Sequence, residues 1–213
     1  MDESLRWHRQ LLLEKTAAAL HDNGFSAALF ANRQEVRPFL IEAAKDASVV
    51  GFGGSMTLAQ MGIAGELKRA GKTLLIHGRS GLDPAERFAL MRRQLSCDVF
   101  FSSTNALTIK GQLVNIDGTG NRVGAMAFGP PKVVLIVGVN KIAHDLDSAL
   151  RRIKEVVVPP NAHRMGYAPP CTKTGFCVDC NSPERVCRIT TIIERQPRDT
   201  QITVCLVNEN LGY

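Results

Sequence analysis

Aromatic side chains are scarce in this chain, with one tryptophan and two tyrosines among 213 residues. A surface that stacks on unpaired bases needs such rings, so nucleic acid is not expected as a partner. Long apolar runs are missing too. Nothing approaches the ~18 consecutive apolar residues of a membrane-crossing helix, and no membrane span is expected. The opening residues, Met1-Asp2-Glu3-Ser4, lack the basic start and apolar stretch of a secretory signal. A cytoplasmic setting is the expectation, with the six cysteines present as reduced thiols or metal ligands rather than disulfides. Internal repeats and low-complexity tracts are absent. Lys and Arg exceed Asp and Glu by 26 − 20 = 6 without forming a long basic run. Such scattered charge suits a solvated surface and leaves room for attraction of anionic ligands.

What is present reads as one α/β domain with an appendage. Apolar residues make up 45% of the chain, as in globular proteins. Helical spacing of Leu13, Ala17 and Leu20 predicts a helix over residues 3–21. Strands are expected at 25–30, 48–52, 73–77 and 98–101, with helices at 34–45, 56–70 and 83–96 between them. A hairpin-like pair follows at 106–109 and 112–116, then a short helix at 121–128. Lys132 to Gly138 is nearly pure Val, Leu and Ile, as in a strand covered on both faces. Asp145 caps a further helix bearing Leu146, Leu150, Ile153 and Val157. This rhythm implies a mostly parallel sheet with helices on both faces. Pro159-Pro160 marks the end of a domain over residues 1–160. Residues 161–200 form a Cys-rich segment, and 201–213 contribute a strand that rejoins the main domain.

Two glycine-bearing loops carry the candidate chemistry. Asn115-Ile-Asp117-Gly118-Thr119-Gly120-Asn121-Arg122 packs two carboxamides, a carboxylate, two glycines and a guanidinium into eight residues. A plain turn rarely needs so many polar groups, so the stretch reads as a cradle for a polar small molecule. Here Asn115, Gly118, Gly120, Asn121 and Arg122 are ligand contacts. Asp117 is a candidate general base, since desolvation raises a carboxyl toward neutral pH. Lys141, just beyond the Val-rich strand, is a candidate for pairing with an anion or stabilising developing charge. The earlier Val50-Gly51-Phe52-Gly53-Gly54-Ser55-Met56-Thr57 is a strand, a glycine turn and a helix start. Gly53, Gly54, Ser55 and Thr57 there suit an anion held by backbone N–H groups and hydroxyls. The loop is neither a dinucleotide fingerprint nor a Walker loop. Of the five histidines, His77 and His144 fall near strand ends that face such a cleft.

Four cysteines fall close together as Cys171-x5-Cys177-x2-Cys180-x6-Cys187, with His163 as a spare ligand. Cys-x2-Cys lets one turn present two sulfurs to the same ion or cluster. The set fits structural zinc and a [4Fe–4S] cluster equally well. Cys97 and Cys205 lie in apolar surroundings and read as small core residues.

The segments Thr104-Asn105-Ala106-Leu107-Thr108, Gly111-Gln112-Leu113-Val114, Asn115 to Arg122 and Val137-Gly138-Val139-Asn140-Lys141 occur in this order, after the glycine loop at 50–57. In these motifs the chain resembles the lactate-utilisation (LUD) domain family over roughly residues 10–160. The resemblance implies the α/β fold shared with ribose-phosphate isomerases and CoA-transferases, and adds Asn105, Thr108 and Asn140 to the ligand contacts. It also implies a place in L-lactate or hydroxyacid oxidation, with a small anionic metabolite as ligand and iron–sulfur redox subunits as partners. That context tips the cysteines toward the [4Fe–4S] cluster. The alternatives are a non-redox transferase or isomerase with structural zinc, and a metabolite-binding assembly subunit.

Overall fold

The computed structural model describes residues 2–213. Its first half runs α1 (Glu3–Asp22), β1 (Ser26–Phe30), α2 (Arg33–Ala43), β2 (Val49–Phe52), α3 (Met56–Met61), α4 (Ala64–Arg69), β3 (Thr73–Ile76), α5 (Pro84–Arg93) and β4 (Val99–Ser102). There follow β5 (Ala106–Thr108), β6 (Leu113–Asp117), α6 (Asn121–Ala127), β7 (Lys132–Gly138), β8 (Ile142–Ala143) and α7 (Leu146–Arg152). The chain ends with α8 (Val158–Arg164), α9 (Cys171–Thr174), β9 (Ile189–Ile193) and β10 (Gln201–Val207).

Alternating side chains on the long strands build two cores. Val133, Leu135 and Val137 of β7 join one apolar cluster, while Val134 and Ile136 join the other. The same parity divides Phe100 from Val99 and Phe101 on β4, and Ile202, Val204 and Leu206 from Cys205 and Val207 on β10. A strand buried on both faces belongs inside a parallel sheet. Six strands accordingly pair in the order β1-β10-β7-β4-β2-β3, every neighbour parallel. One face is covered by α2, α3 and α4 through Val36, Leu40, Leu58, Met61 and Leu67. The other takes Leu13, Ala17 and Leu20 of α1 and Ala125 and Met126 of α6. This is the α/β architecture expected from the sequence.

A second sheet was not foreseen. Strands β8-β5-β6-β9 form a four-stranded layer, antiparallel except where β8 lies parallel to β5. Leu107, Leu113 and Ile193 pack inward with the α1 side of the main sheet. Ala106 and Val114 face a third cluster made with Ala149, Ile153, Val157 and Cys171. The hairpin signal at β5 and β6 was readable, but its partners β8 and β9 are short or lie in the aperiodic Cys-rich segment.

Two helices depart from the expected pattern. The stretch 56–70 divides into α3 and α4, because Gly62 takes the left-handed conformation at φ +64° and ends the first piece. The helix begun at α7 continues through a π-helical turn at Ile153–Val157 into α8, so Pro159-Pro160 lies inside a helix. Each proline withholds an N–H and crowds the carbonyl four residues back. The wider π turn sits just where that crowding would fall, and such turns commonly resolve it.

Candidate functional site

The C-terminal ends of β2, β3, β4 and β7 open onto one cleft of about 610 Å³. Gly54, Ser55 and Thr57 follow β2, His77 follows β3, Ser103 to Asn105 follow β4, and Lys141 follows β7. Successive connections from β2 run in opposite directions, to β3 on one side and on to β4 on the other. Such a reversal leaves a crevice beyond the strand ends, where ligands of α/β proteins bind. The facing wall is built from the turn at 117–122, the end of α8 and residues 183–188 of the Cys-rich segment.

Arg122 organises that turn. Its Nε and Nη2 donate to Asp117 Oδ1 at 3.0 and 2.5 Å. Nη1 reaches Asn115 Oδ1 at 2.5 Å and Ser103 O at 3.1 Å, and Nη2 also meets Asn105 Oδ1 at 2.8 Å. Asn105 and Asn115 further tie the two segments together through Ile116 N and Asn105 N. The second Asp117 oxygen accepts from Val123 N at 3.2 Å. Every strong donor of Arg122 is therefore spent inside the protein, and both carboxylate oxygens of Asp117 are engaged. Arg122, expected as a ligand contact, thus lines the cleft while serving as an internal tie. Gly120 makes the turn possible at φ +88°, and a Cβ there would meet Ile189 Cδ1 at 2.9 Å.

His77 approaches the glycine loop closely, since a Cβ on Gly54 would lie 3.3 Å from its Nε2. Its tautomer follows from its partner. Gln94 Nε2 donates to Phe52 O at 2.7 Å and Leu75 O at 2.8 Å. That fixes Gln94 Oε1 as the acceptor for His77 Nδ1 at 3.1 Å, so Nδ1 carries the proton and Nε2 is left as an acceptor. Burial holds the imidazole below its ordinary pKa.

Lys141 is only 5% exposed. Its Nζ donates to Thr57 Oγ1 and Ser103 Oγ, each at 3.0 Å. None of the ion pairs among the described residues includes it. Burial, followed by the charges of Arg152 and Arg122, depresses the ammonium to a pKa of about 7.

The four cysteines of the C-terminal segment line one small pocket with Val158, Pro169, Val178 and Val186. All are free thiols. Cys171 is pushed up by burial and then by the neighbouring Cys180, Cys187 and Cys177. Arg185 holds the loop by donating to Cys180 O at 2.5 Å and Cys187 O at 2.9 Å. Among the described residues no three His, Cys, Asp or Glu side chains are placed to hold a metal ion as they stand. The donor chemistry nonetheless fits a thiolate-held group. Four thiols share a pocket with apolar walls, and the thiolates, once formed, would repel one another without a cation. Cys97 and Cys205 are apart from this group, with thiols raised by burial to about 11 and about 12.

Of the residues expected at the site, Gly54, Ser55, Thr57, Asn105, Asp117, Gly118, Asn121, Arg122 and Lys141 line the cleft. Ser55 also caps α3 through Leu58 N at 3.4 Å. Gly53 packs against Ser102 behind the loop. Thr108 closes its hairpin with Gln112 at 3.1 Å. Asn115 is fully buried as a partner of Arg122, and its Nδ2 finds no protein acceptor. Asn140 holds the C-terminal segment through Leu211 N at 3.0 Å. His144 is exposed beside Asp145. Sequence reasoning missed Gln94, Ser103, Arg87 and Arg164. Only the positions of Ser103 and Arg87 near strand and helix ends could have hinted at them.

A family model described as the LUD domain matches residues 13–207. Among solved structures, the chain is similar to a DUF162 family protein from Deinococcus radiodurans. That similarity covers 93% of this chain and 98% of the other at 15% identity, with a TM-score of 0.53. At that identity the likeness concerns the fold alone. No curated protein matches.

Two outcomes are expected here. Arg122→Ala strands the Asp117 carboxylate and should cost about 3–5 kcal/mol in urea unfolding; part of the loss should return in the Arg122→Ala/Asp117→Asn double variant. A cost under about 1 kcal/mol, as for exposed pairs, would show that the tie is not structural. Lys141 supplies the second. Its folded pKa of about 7 lies below the ordinary 10.5, so the unfolded chain binds the extra proton between those values. Its contribution to stability must therefore rise as pH climbs from about 7 to 10.5. Lys141→Met should abolish that rise and be the more stable protein below pH 7. An unchanged pH profile would contradict it.

Proposed function

The chain belongs to the LUD-domain family, and from that premise we propose that it binds a small anionic metabolite in the cleft beside a cysteine-held metal centre, as a component of L-lactate or related hydroxyacid oxidation. The observation that carries the reading is the charge of the cleft wall. Arg87, Arg122, Lys141, Arg164, Arg185 and Arg188 line it against two carboxylates, Asp117 and Glu184. Arg122 is tied to Asp117 and Arg185 to Asp179, which leaves the surplus with Arg87, Arg164 and Arg188 beside the basic Lys141. A concave site with surplus cations favours an anionic ligand.

Cys171, Cys177, Cys180 and Cys187 would hold the metal centre, a [4Fe–4S] cluster by the family's iron–sulfur setting, with structural zinc as the alternative occupant. A cluster would supply one-electron transfer. The chain's own residues do the rest. Arg185 clamps the loop between the thiols and the cleft, so a ligand on the cationic wall and a group among the thiols share one supporting segment. His77 Nε2 offers an acceptor for a ligand hydroxyl proton.

Anaerobic purification followed by an absorption spectrum and iron, sulfide and zinc analysis tests the metal reading. Broad visible absorption with matching iron and sulfide, both lost in Cys180→Ser, is the expected result. One zinc and no colour would leave the cysteines a structural staple, and neither metal would remove the centre altogether. For the cleft, lactate, pyruvate and inorganic phosphate serve as probes in thermal unfolding, because a ligand of the folded state raises Tm. The exposed Arg87, replaced in Arg87→Glu, should weaken the best probe about tenfold. Equal shifts in both proteins would argue against an anion site.

A further inference from the structure

Lys141 has a hydrogen-bonding arrangement that suits an amine better than an ammonium. Ser103 Oγ spends its proton on Ile136 O at 2.6 Å, and Thr57 Oγ1 points its own toward Leu211 O at 3.3 Å. Both hydroxyls therefore receive from Nζ. A neutral amine has two N–H groups, both satisfied by this pair, and one lone pair to spare. An ammonium has a third N–H with no acceptor in the protein, in a buried position without a carboxylate. The guanidinium groups of Arg122 and Arg152 reach the same neighbourhood, and Arg152 is fixed there by Asn140 O at 2.9 Å and Asn105 O at 2.8 Å. Desolvation beside other cations is the setting in which a lysine becomes a nucleophile at neutral pH.

We propose that Lys141 is such a nucleophile, its amine adding to the carbonyl carbon of a small 2-oxo acid held in the cleft to form an imine. This deepens the anion-binding reading and rests on it. The cationic wall selects the carboxylate, and the free lone pair selects the adjacent carbonyl. The nitrogen lone pair forms the C–N bond, and the carbonyl electrons move onto oxygen. The two amine protons then leave with that oxygen as water, and C=N replaces C=O. No oxidant or further reactant is consumed. Thr57 and Ser103 are positioning residues in this step, holding the nitrogen so that its lone pair stays free.

The test is reductive trapping of the full-length protein with pyruvate and cyanoborohydride, followed by peptide mapping by mass spectrometry. Pyruvate binding is measured in parallel by thermal unfolding. The expected result is a single dominant adduct on Lys141 in the wild-type protein and its loss in Lys141→Arg, whose guanidinium cannot lose its proton to become a nucleophile. Mapping the wild-type chain decides the matter even if the variant folds poorly. A Tm shift with pyruvate but no adduct on Lys141, or adducts spread over exposed lysines alone, overturns the imine and leaves the anion cleft standing. Neither a shift nor an adduct overturns both.

Discussion

The guanidinium of Arg122 meets five acceptors drawn from two chain segments, 103–105 and 115–117. An arginine has five N–H groups in a rigid fork, and few other side chains could join so many oxygens in so small a space. The consequence is architectural. The segment leaving β4 is locked to β6 of the small sheet, so one wall of the cleft is fixed relative to the strand ends forming the other. A buried cation is costly unless paired and fully hydrogen-bonded, and Asp117 with Asn105 and Asn115 meets that condition. These polar residues, dense in the sequence, hold the site together and leave the ligand to others.

Those others are basic side chains that no carboxylate pairs among the described residues. Lys141 faces the cleft with only hydroxyl contacts, while Arg87 and Arg164 stand exposed on its rim. His77, with its tautomer fixed by Gln94, adds an imidazole acceptor. The division between spent and available charge separates scaffold from candidate chemistry here. The Cys-rich segment enters the same picture, because residues 183–188 form part of the cleft wall while Cys171 packs into the third core beneath α7 and α8.

Particular elements show how much could be read in advance. β7 was legible to the residue, since five residues of Val, Leu and Ile bounded by Lys and Gly admit little else. Asp83-Pro84 announced α5 and the cap at Asp145 announced α7, and the structure closes a capping box at each. The break at Gly62 was hidden because glycine inside a helical pattern is often tolerated. β9 was hidden because an edge strand with exposed Ile189 and Ile192 shows no clean alternation. Pro159-Pro160 misled for a local reason: proline usually ends helices, and only the π turn before it allows the helix to continue. Among site residues, Asp117 and Arg122 line the cleft as expected, but their pairing with each other could not be read in advance, because spacing cannot tell a ligand contact from an internal tie.

The sequence by itself determined the parallel α/β frame, the two glycine-bearing loops and the grouping of four cysteines, since each rests on local periodicity or spacing, and its ordered motifs carry the resemblance to the family. Tertiary structure alone decided which polar groups satisfy one another. Arg122 and Asp117 were drawn inward because they lie within reach of Asn105 and Ser103, residues distant in the chain. Lys141 was left without a carboxylate because the partners brought in by two other strands, Thr57 and Ser103, accept two amine protons and carry no charge.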